Sequence, residues 1–131
     1  MRLNLKSFWP GILWFLLSCV AFFIPGAALP QNDWFGKIDL DKIIHVGLFT
    51  VMILLWCIPL FHKPTLTSRI PVLLIQIPFV FFVYSILVEV IQHFFIPGRS
   101  FDFADIVADA LGCFIGFLLV KRYQRSKADV R

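Results

Sequence analysis

The chain alternates long runs without a charged residue and short polar breaks. Residues 7–32 contain no Asp, Glu, Lys or Arg, and the part from about 8 to 25 has the length of a helix that crosses a ~30 Å hydrocarbon core. Residues 43–61 form a second uncharged run, closed by His62-Lys63-Pro64. A third apolar stretch spans 70–95, with Pro71 in its first turn, where a missing N–H costs little, and Pro78 inside, where a kink is expected. Ile96-Pro97-Gly98-Arg99 places Pro and Gly at the centre of a type II turn, so the chain reverses there. A fourth helix is expected over 103–120, capped by Ser100 or Asp102 and followed by a basic, polar tail. This pattern predicts an all-α polytopic membrane protein. It is expected to be one domain over residues 1–131, a bundle of four transmembrane helices at about 8–25, 43–61, 70–95 and 103–120.

Composition agrees. With 60% hydrophobic and 15% charged residues and a mean hydropathy of +0.86, the chain has too few charges to coat a water-facing surface. That excludes a cytosolic enzyme, a disordered chain and an ordinary secreted domain. A cleaved signal peptide is the rival for the first segment, since Arg2 and Lys6 precede it and Gly26-Ala27-Ala28 resembles a cleavage site. The apolar run is longer than a typical signal core, and another membrane segment follows it, so a retained helix is expected. Cys19, Cys57 and Cys113 each lie in apolar runs and read as small buried hydrophobes.

The net charge of +4 does not point to nucleic acid, because the bases sit between greasy segments. Four helices put both termini on one side. That side then holds Arg2, Lys6, Lys63, Arg69, Lys121, Arg122, Arg125, Lys127 and Arg131, nine of the twelve bases, against Lys37, Lys42 and Arg99 outside. The positive-inside rule gives cytoplasmic N- and C-termini, with Trp34 and Phe35 at the outer interface. Ala104, Ala108, Gly112 and Gly116 recur every fourth residue. Such a stripe permits close helix packing, within the bundle or between copies of a homo-oligomer.

The candidate chemistry lies at one depth. Asp41, Lys42 and His45 fall in the outer turns of the second helix, Glu89, Gln92 and His93 in those of the third, and Asp105 and Asp109 in those of the fourth. Asp41/His45, Glu89/His93 and Asp105/Asp109 are each four apart and share a helical face. The turn at Pro97-Gly98 sets Glu89 level with Asp109 and His93 level with Asp105. Six carboxylates, Asp39, Asp41, Glu89, Asp102, Asp105 and Asp109, face only Lys42 and Arg99. Either some are protonated, or His45 and His93 are charged, or a cation is bound. Two helix N-termini and Arg99 also favour an anion, such as a phosphate-bearing head group. Asp39, Asp41, Ser100 and Asp102 have a simpler reading as N-caps, with Arg99 paired to Asp102. Glu89, His45, Asp105 and Asp109 lie deeper, where a functional role competes with interhelical hydrogen bonding. His62 and Gln76 are assigned no role.

Asp41-Lys42-x-x-His45, Glu89-x-x-Gln92, then Pro97-x-Arg99, Asp105 and a glycine at 112 resemble the VanZ-like family of small bacterial membrane proteins, over about residues 39–116. Asp109 stands where that pattern has Asn. The resemblance implies work at the bacterial cytoplasmic membrane, on envelope lipids or on access of the glycopeptide teicoplanin to its lipid-linked target. Two functions follow as expectations. One is a polar outer-leaflet site that binds membrane lipid or a lipid-linked ligand through Asp41, Lys42, Gln92, His93, Arg99 and Asp109. The other is an intramembrane hydrolase or transferase with His45 or Glu89 as general base and Asp105 with Asp109 as metal ligands or acid. Proton-coupled transport is disfavoured, because the inner halves of the helices lack ionisable residues. No dense ligand spacing identifies a metal, and no cofactor motif is present.

Overall fold

The computed structural model describes residues 5–25 and 40–129. Arg2, the Gly26-Ala27-Ala28 segment, Trp34, Phe35, Lys37, Asp39 and Arg131 lie outside the described residues. The described residues form four α-helices and no strand: α1 Trp9–Phe22, α2 Leu40–Cys57, α3 Ile70–Phe95 and α4 Phe103–Asp129.

A 3-10 turn, Leu5–Phe8, leads into α1, and Pro10 sits in the first helical turn, where its lost N–H is no loss. Turn and helix together are about 29 Å long, close to the hydrocarbon thickness, although the helical run is shorter than its neighbours. α2 begins at Leu40, earlier than its charge-free run, and so carries Asp41 and Lys42 in its first turn. Its α-geometry stops at Cys57, and Ile58–His62 tightens to a 3-10 turn around Pro59. A further 3-10 turn, Pro64–Arg69, feeds α3, which accommodates Pro71 near its start and Pro78 inside. Gly98 has φ 75°, and Arg99 N–H donates to Ile96 O (3.2 Å), which gives the type II reversal its left-handed glycine. Asp102 then caps α4, its Oδ1 accepting from Ala104 N–H at 2.8 Å. α4 continues past Val120 to Asp129, because Lys, Arg and Gln sustain a helix as readily outside lipid as within it.

The helices run up and down. One end of the bundle gathers Phe8 with Lys63, Phe61 with Tyr123, and a hydrogen bond from Lys127 Nζ to His62 Nε2 (2.9 Å). The other end gathers Phe22, His45, Glu89, Gln92 and the start of α4. α2 and α4 form the closest pairing. A Cβ built on Gly112 would stand 2.6 Å from Val46 O, and one on Gly116 would stand 2.7 Å from Ile53 Cβ, so only glycine permits this approach. Thr50 Oγ1 donates across the seam to Gly112 O (3.1 Å). The small-residue stripe thus packs within the chain at Gly112 and Gly116, which leaves those two positions no surface to offer a second copy.

Phe49, Met52, Ile53, Leu74, Val88 and Val120 fill the centre. α1 is fastened by Trp14 Nε1–H to Leu48 O (3.0 Å) and by a Cys19–Tyr84 hydrogen bond (3.2 Å). Outward, Leu16, Val20, Ile75, Phe79, Val83, Leu87, Phe94 and Phe114 are exposed, an apolar coat that water would not tolerate and lipid requires. Three helical stretches, Asp41–His62, Leu66–Phe95 and Phe103–Lys127, are long and apolar enough to span a membrane, and Lys6–Phe22 is a shorter apolar fourth. The protein is an all-α membrane bundle.

Candidate functional site

The glycine-mediated contact brings the first turns of α2 and α4 face to face. His45 is buried, with 3% of its side chain exposed, and its Nδ1–H donates to Asp109 Oδ1 at 2.8 Å. The opposite ring nitrogen, Nε2, faces Asp105 Oδ2 at 3.9 Å and Asp41 Oδ1 at 4.0 Å, both too long for hydrogen bonds. Phe22 packs on the ring, with centroids 5.1 Å apart. Asp41 is half exposed, whereas Asp105 and Asp109 are buried.

Lys42 crosses from α2 to α4, its Nζ donating to Asp102 Oδ2 and Asp105 Oδ1, each at 3.0 Å. The ammonium, with Ala104 N–H, holds the Asp102 carboxyl below the usual aspartate range. Asp105 therefore divides its work, one oxygen on Lys42 and the other toward His45.

α3 closes the third side. Glu89 is 1% exposed, and its Oε2 accepts from Asp102 N–H (3.0 Å), while Oε1 is buried with no hydrogen-bond partner. It lies within electrostatic reach of Asp105, His45 and Asp109. Gln92, also buried, donates through Nε2 to Phe22 O (2.7 Å), the free carbonyl at the end of α1. Arg99, in the turn before α4, is half-buried, and its Nε is buried without a partner.

The structure therefore brings together Asp41, Lys42, His45, Glu89, Asp105 and Asp109, with Gln92 bracing the floor. His93 is not among them: it is exposed, with its ring against Phe94. The buried face of α3 passes through Val88, Glu89 and Gln92, and the next residue is turned about 100° from Gln92. Asp102 does more than cap, and its partner is Lys42, where the sequence had suggested Arg99. The Phe22 carbonyl escaped sequence reasoning because a backbone acceptor leaves no signature in residue type. Lys42 was visible as one of two bases among acids, but its two partners were not.

Chemically the arrangement offers an oriented imidazole, a surplus of carboxylates, and two buried orphan atoms of opposite character, Glu89 Oε1 and Arg99 Nε. The site stands at the helix N-termini of α2 and α4, where peptide dipoles add positive potential. A groove of about 590 Å³ between these helices, lined by Ile43, Val46, Val107 and Leu111, begins at Lys42 and continues the site into apolar surroundings.

Comparison with curated proteins and with solved structures found no match. The VanZ/LLP1 family profile matches residues 5–124, a span that includes α1 to α3, most of α4 and every residue of the polar cluster. The chain is a membrane protein of the VanZ/LLP1 family.

Proposed function

We propose that this VanZ-like protein lies in the bacterial cytoplasmic membrane with both termini in the cytoplasm. In this reading the outer-leaflet end of its bundle binds the head group of a membrane lipid or lipid-linked envelope ligand. The observation that carries the reading is the continuity of the polar cluster with the apolar groove between α2 and α4, with Lys42 belonging to both. An amphiphile suits that combination, its chain along Val46, Val107 and Leu111 and its head among the ionisable groups. Arg99 Nε and the two helix N-termini supply donors and positive potential for a phosphate. Retention of a lipid-linked envelope precursor here would alter the access of teicoplanin to its target, the link to resistance that the family resemblance suggests.

Native mass spectrometry in anionic phospholipid tests binding. Arg99→Ala is expected to lose most retained lipid, and unchanged retention would remove Arg99 from the site. Lipid and precursor profiles of cells carrying Glu89→Gln would name the ligand through the species that changes.

A second reading, an intramembrane hydrolase or transferase on a lipid-linked substrate, is favoured by one observation. Asp109 fixes His45 through Nδ1, which leaves Nε2 to take a proton from water or a hydroxyl. Cells carrying His45→Gln would accumulate the substrate, and an unaltered lipid profile would retire this reading.

A further inference from the structure

We infer that Asp41, His45 and Asp105 form a binding site for one divalent first-row cation, Mn²⁺ or Zn²⁺. Their ligand atoms, one from each residue, all lie within 4.8 Å of one another. Asp41 and His45 come from successive turns of α2 and Asp105 from α4, so the metal would close the seam that Gly112 opens.

The individual atoms favour a cation over a chance gathering of acids. His45 is almost wholly buried, yet its Nε2 makes no hydrogen bond and points between two carboxylate oxygens at 3.9 and 4.0 Å. A metal would give that nitrogen the partner that no protein atom supplies at hydrogen-bond distance. Lys42 occupies Asp105 Oδ1, so Oδ2 is the oxygen left facing His45. Asp109 takes the other ring nitrogen at 2.8 Å, the carboxylate–histidine arrangement that orients metal-bound imidazoles. Independently of the three ligands, Glu89 Oε1 is buried, unpartnered and within electrostatic reach of His45 and Asp105. It adds an unpartnered acceptor on the α3 side.

Size and chemistry narrow the ion. Metal–ligand distances near 2.1 Å place ligand atoms about 3.0–3.4 Å apart, so the two carboxylates must approach His45 by about 0.5–1 Å. Asp41 can make that movement because 52% of its side chain is exposed. One imidazole with two carboxylates suits Mn²⁺ or Zn²⁺ better than Ca²⁺, which takes six to eight oxygens. Three protein ligands leave positions for water or for an anionic oxygen. The inference does not require the lipid reading.

The test uses the tag-free full chain in lipid-free neutral detergent, stripped with chelator and titrated with Mn²⁺ or Zn²⁺. One ion per chain is expected by elemental analysis, and bound Mn²⁺ should show imidazole nitrogen coupling by pulsed electron paramagnetic resonance. Asp109→Asn is expected to weaken binding roughly 10–100-fold by removing the carboxylate charge that strengthens the imidazole as a ligand. Asp41→Asn, whose exposed position spares the fold, should weaken it at least as much, and His45→Gln should abolish the nitrogen coupling. His62→Ala, at the far end of the bundle, should change nothing. Failure of both metals to bind, or one-to-one binding that Asp41→Asn and His45→Gln leave intact, would overturn the inference. Lipid retention by the chelator-stripped protein is a separate measurement, so either reading can fail alone.

Discussion

Gly112→Ala adds one methyl group at the narrowest point of the bundle. Its Cβ would stand 2.6 Å from Val46 O, 2.9 Å from Phe49 Cβ and 3.1 Å from Val46 Cα. Two of these are backbone atoms and the third is the root of a buried ring, so none can swing aside and the helices must separate. Overpacking of this kind costs about 1–3 kcal/mol, and the rigid neighbours argue for the upper half. Alanine returns up to about 1 kcal/mol of helix propensity. A net loss of roughly 1–2 kcal/mol follows, or a fall in Tm of about 4–8 °C. Gly47→Ala, on α2, is the matched control. Its Cβ would meet nothing within 4 Å, so propensity acts alone and stability should hold or rise. Cys57 and Cys113 are buried and free, so labelling by a thiol-reactive dye during a thermal ramp in detergent reads opening without an engineered probe. Gly112→Ala as stable as the parent, or Gly47→Ala equally damaging, would refute the close approach of α2 and α4.

Asp109→Ala leaves a buried His45 N–H without its acceptor and should cost about 1–3 kcal/mol in the same assay. Asp109→Asn, which keeps an acceptor, should cost clearly less, and equal losses would deny the hydrogen bond. Gln92→Leu removes the tie to Phe22 O and should cost about 1 kcal/mol, with earlier proteolysis at the end of α1 as the second readout. Loss of proteolytic protection without any change in Tm would reassign Gln92 to the site alone. Lys42 depresses the Asp102 pKa, so the stability this pair contributes is complete above the ordinary aspartate pKa and is lost as pH falls through the lower folded value. A carboxyl NMR titration of Asp102 should show a midpoint below the ordinary value, moving up in Lys42→Ala. No movement would exclude the pairing.

The four helices were legible because lipid imposes a long apolar run on whatever crosses it, and Pro97-Gly98 marked its turn by the one φ that only glycine takes freely. Helix ends were less legible, since hydropathy marks the membrane and the helix need not stop where the lipid does. α4 accordingly runs on to Asp129, whereas α2 loses α-geometry before its apolar run ends, at Pro59. That Glu89 and the start of α4 share one end of the bundle could be read from the reversal after α3. The angular placement of the polar residues could not be fixed to one residue, and His93 shows why. It follows Glu89 by four, as a shared face demands, yet Gln92 holds the buried position and His93 turns outward. Which base meets which acid was beyond reach, because Arg99 is near Asp102 in sequence, whereas only the packing of α2 on α4 brings Lys42 to it.

The packing and the chemistry of this protein occupy one seam. Asp109 and Gly112 are a single helical turn apart on α4, and His45 adjoins Val46, the residue that Gly112 touches on α2. The distance between the two helices at Gly112 therefore sets the reach of His45 toward Asp109 and of Lys42 toward Asp105. A methyl group that spreads the helices should lengthen the 2.8 Å His45–Asp109 hydrogen bond first, because that bond lies nearest the added atom. The 3.0 Å Lys42 contacts have a flexible side chain to absorb the change. Gly112→Ala is thus expected to disturb ligand or metal binding through geometry even where the chain still folds. Gly116→Ala, a further turn away against Ile53, should cost stability with a smaller effect on binding. If the two substitutions impaired binding equally at equal stability, the site would depend on the bundle as a whole and not on this seam.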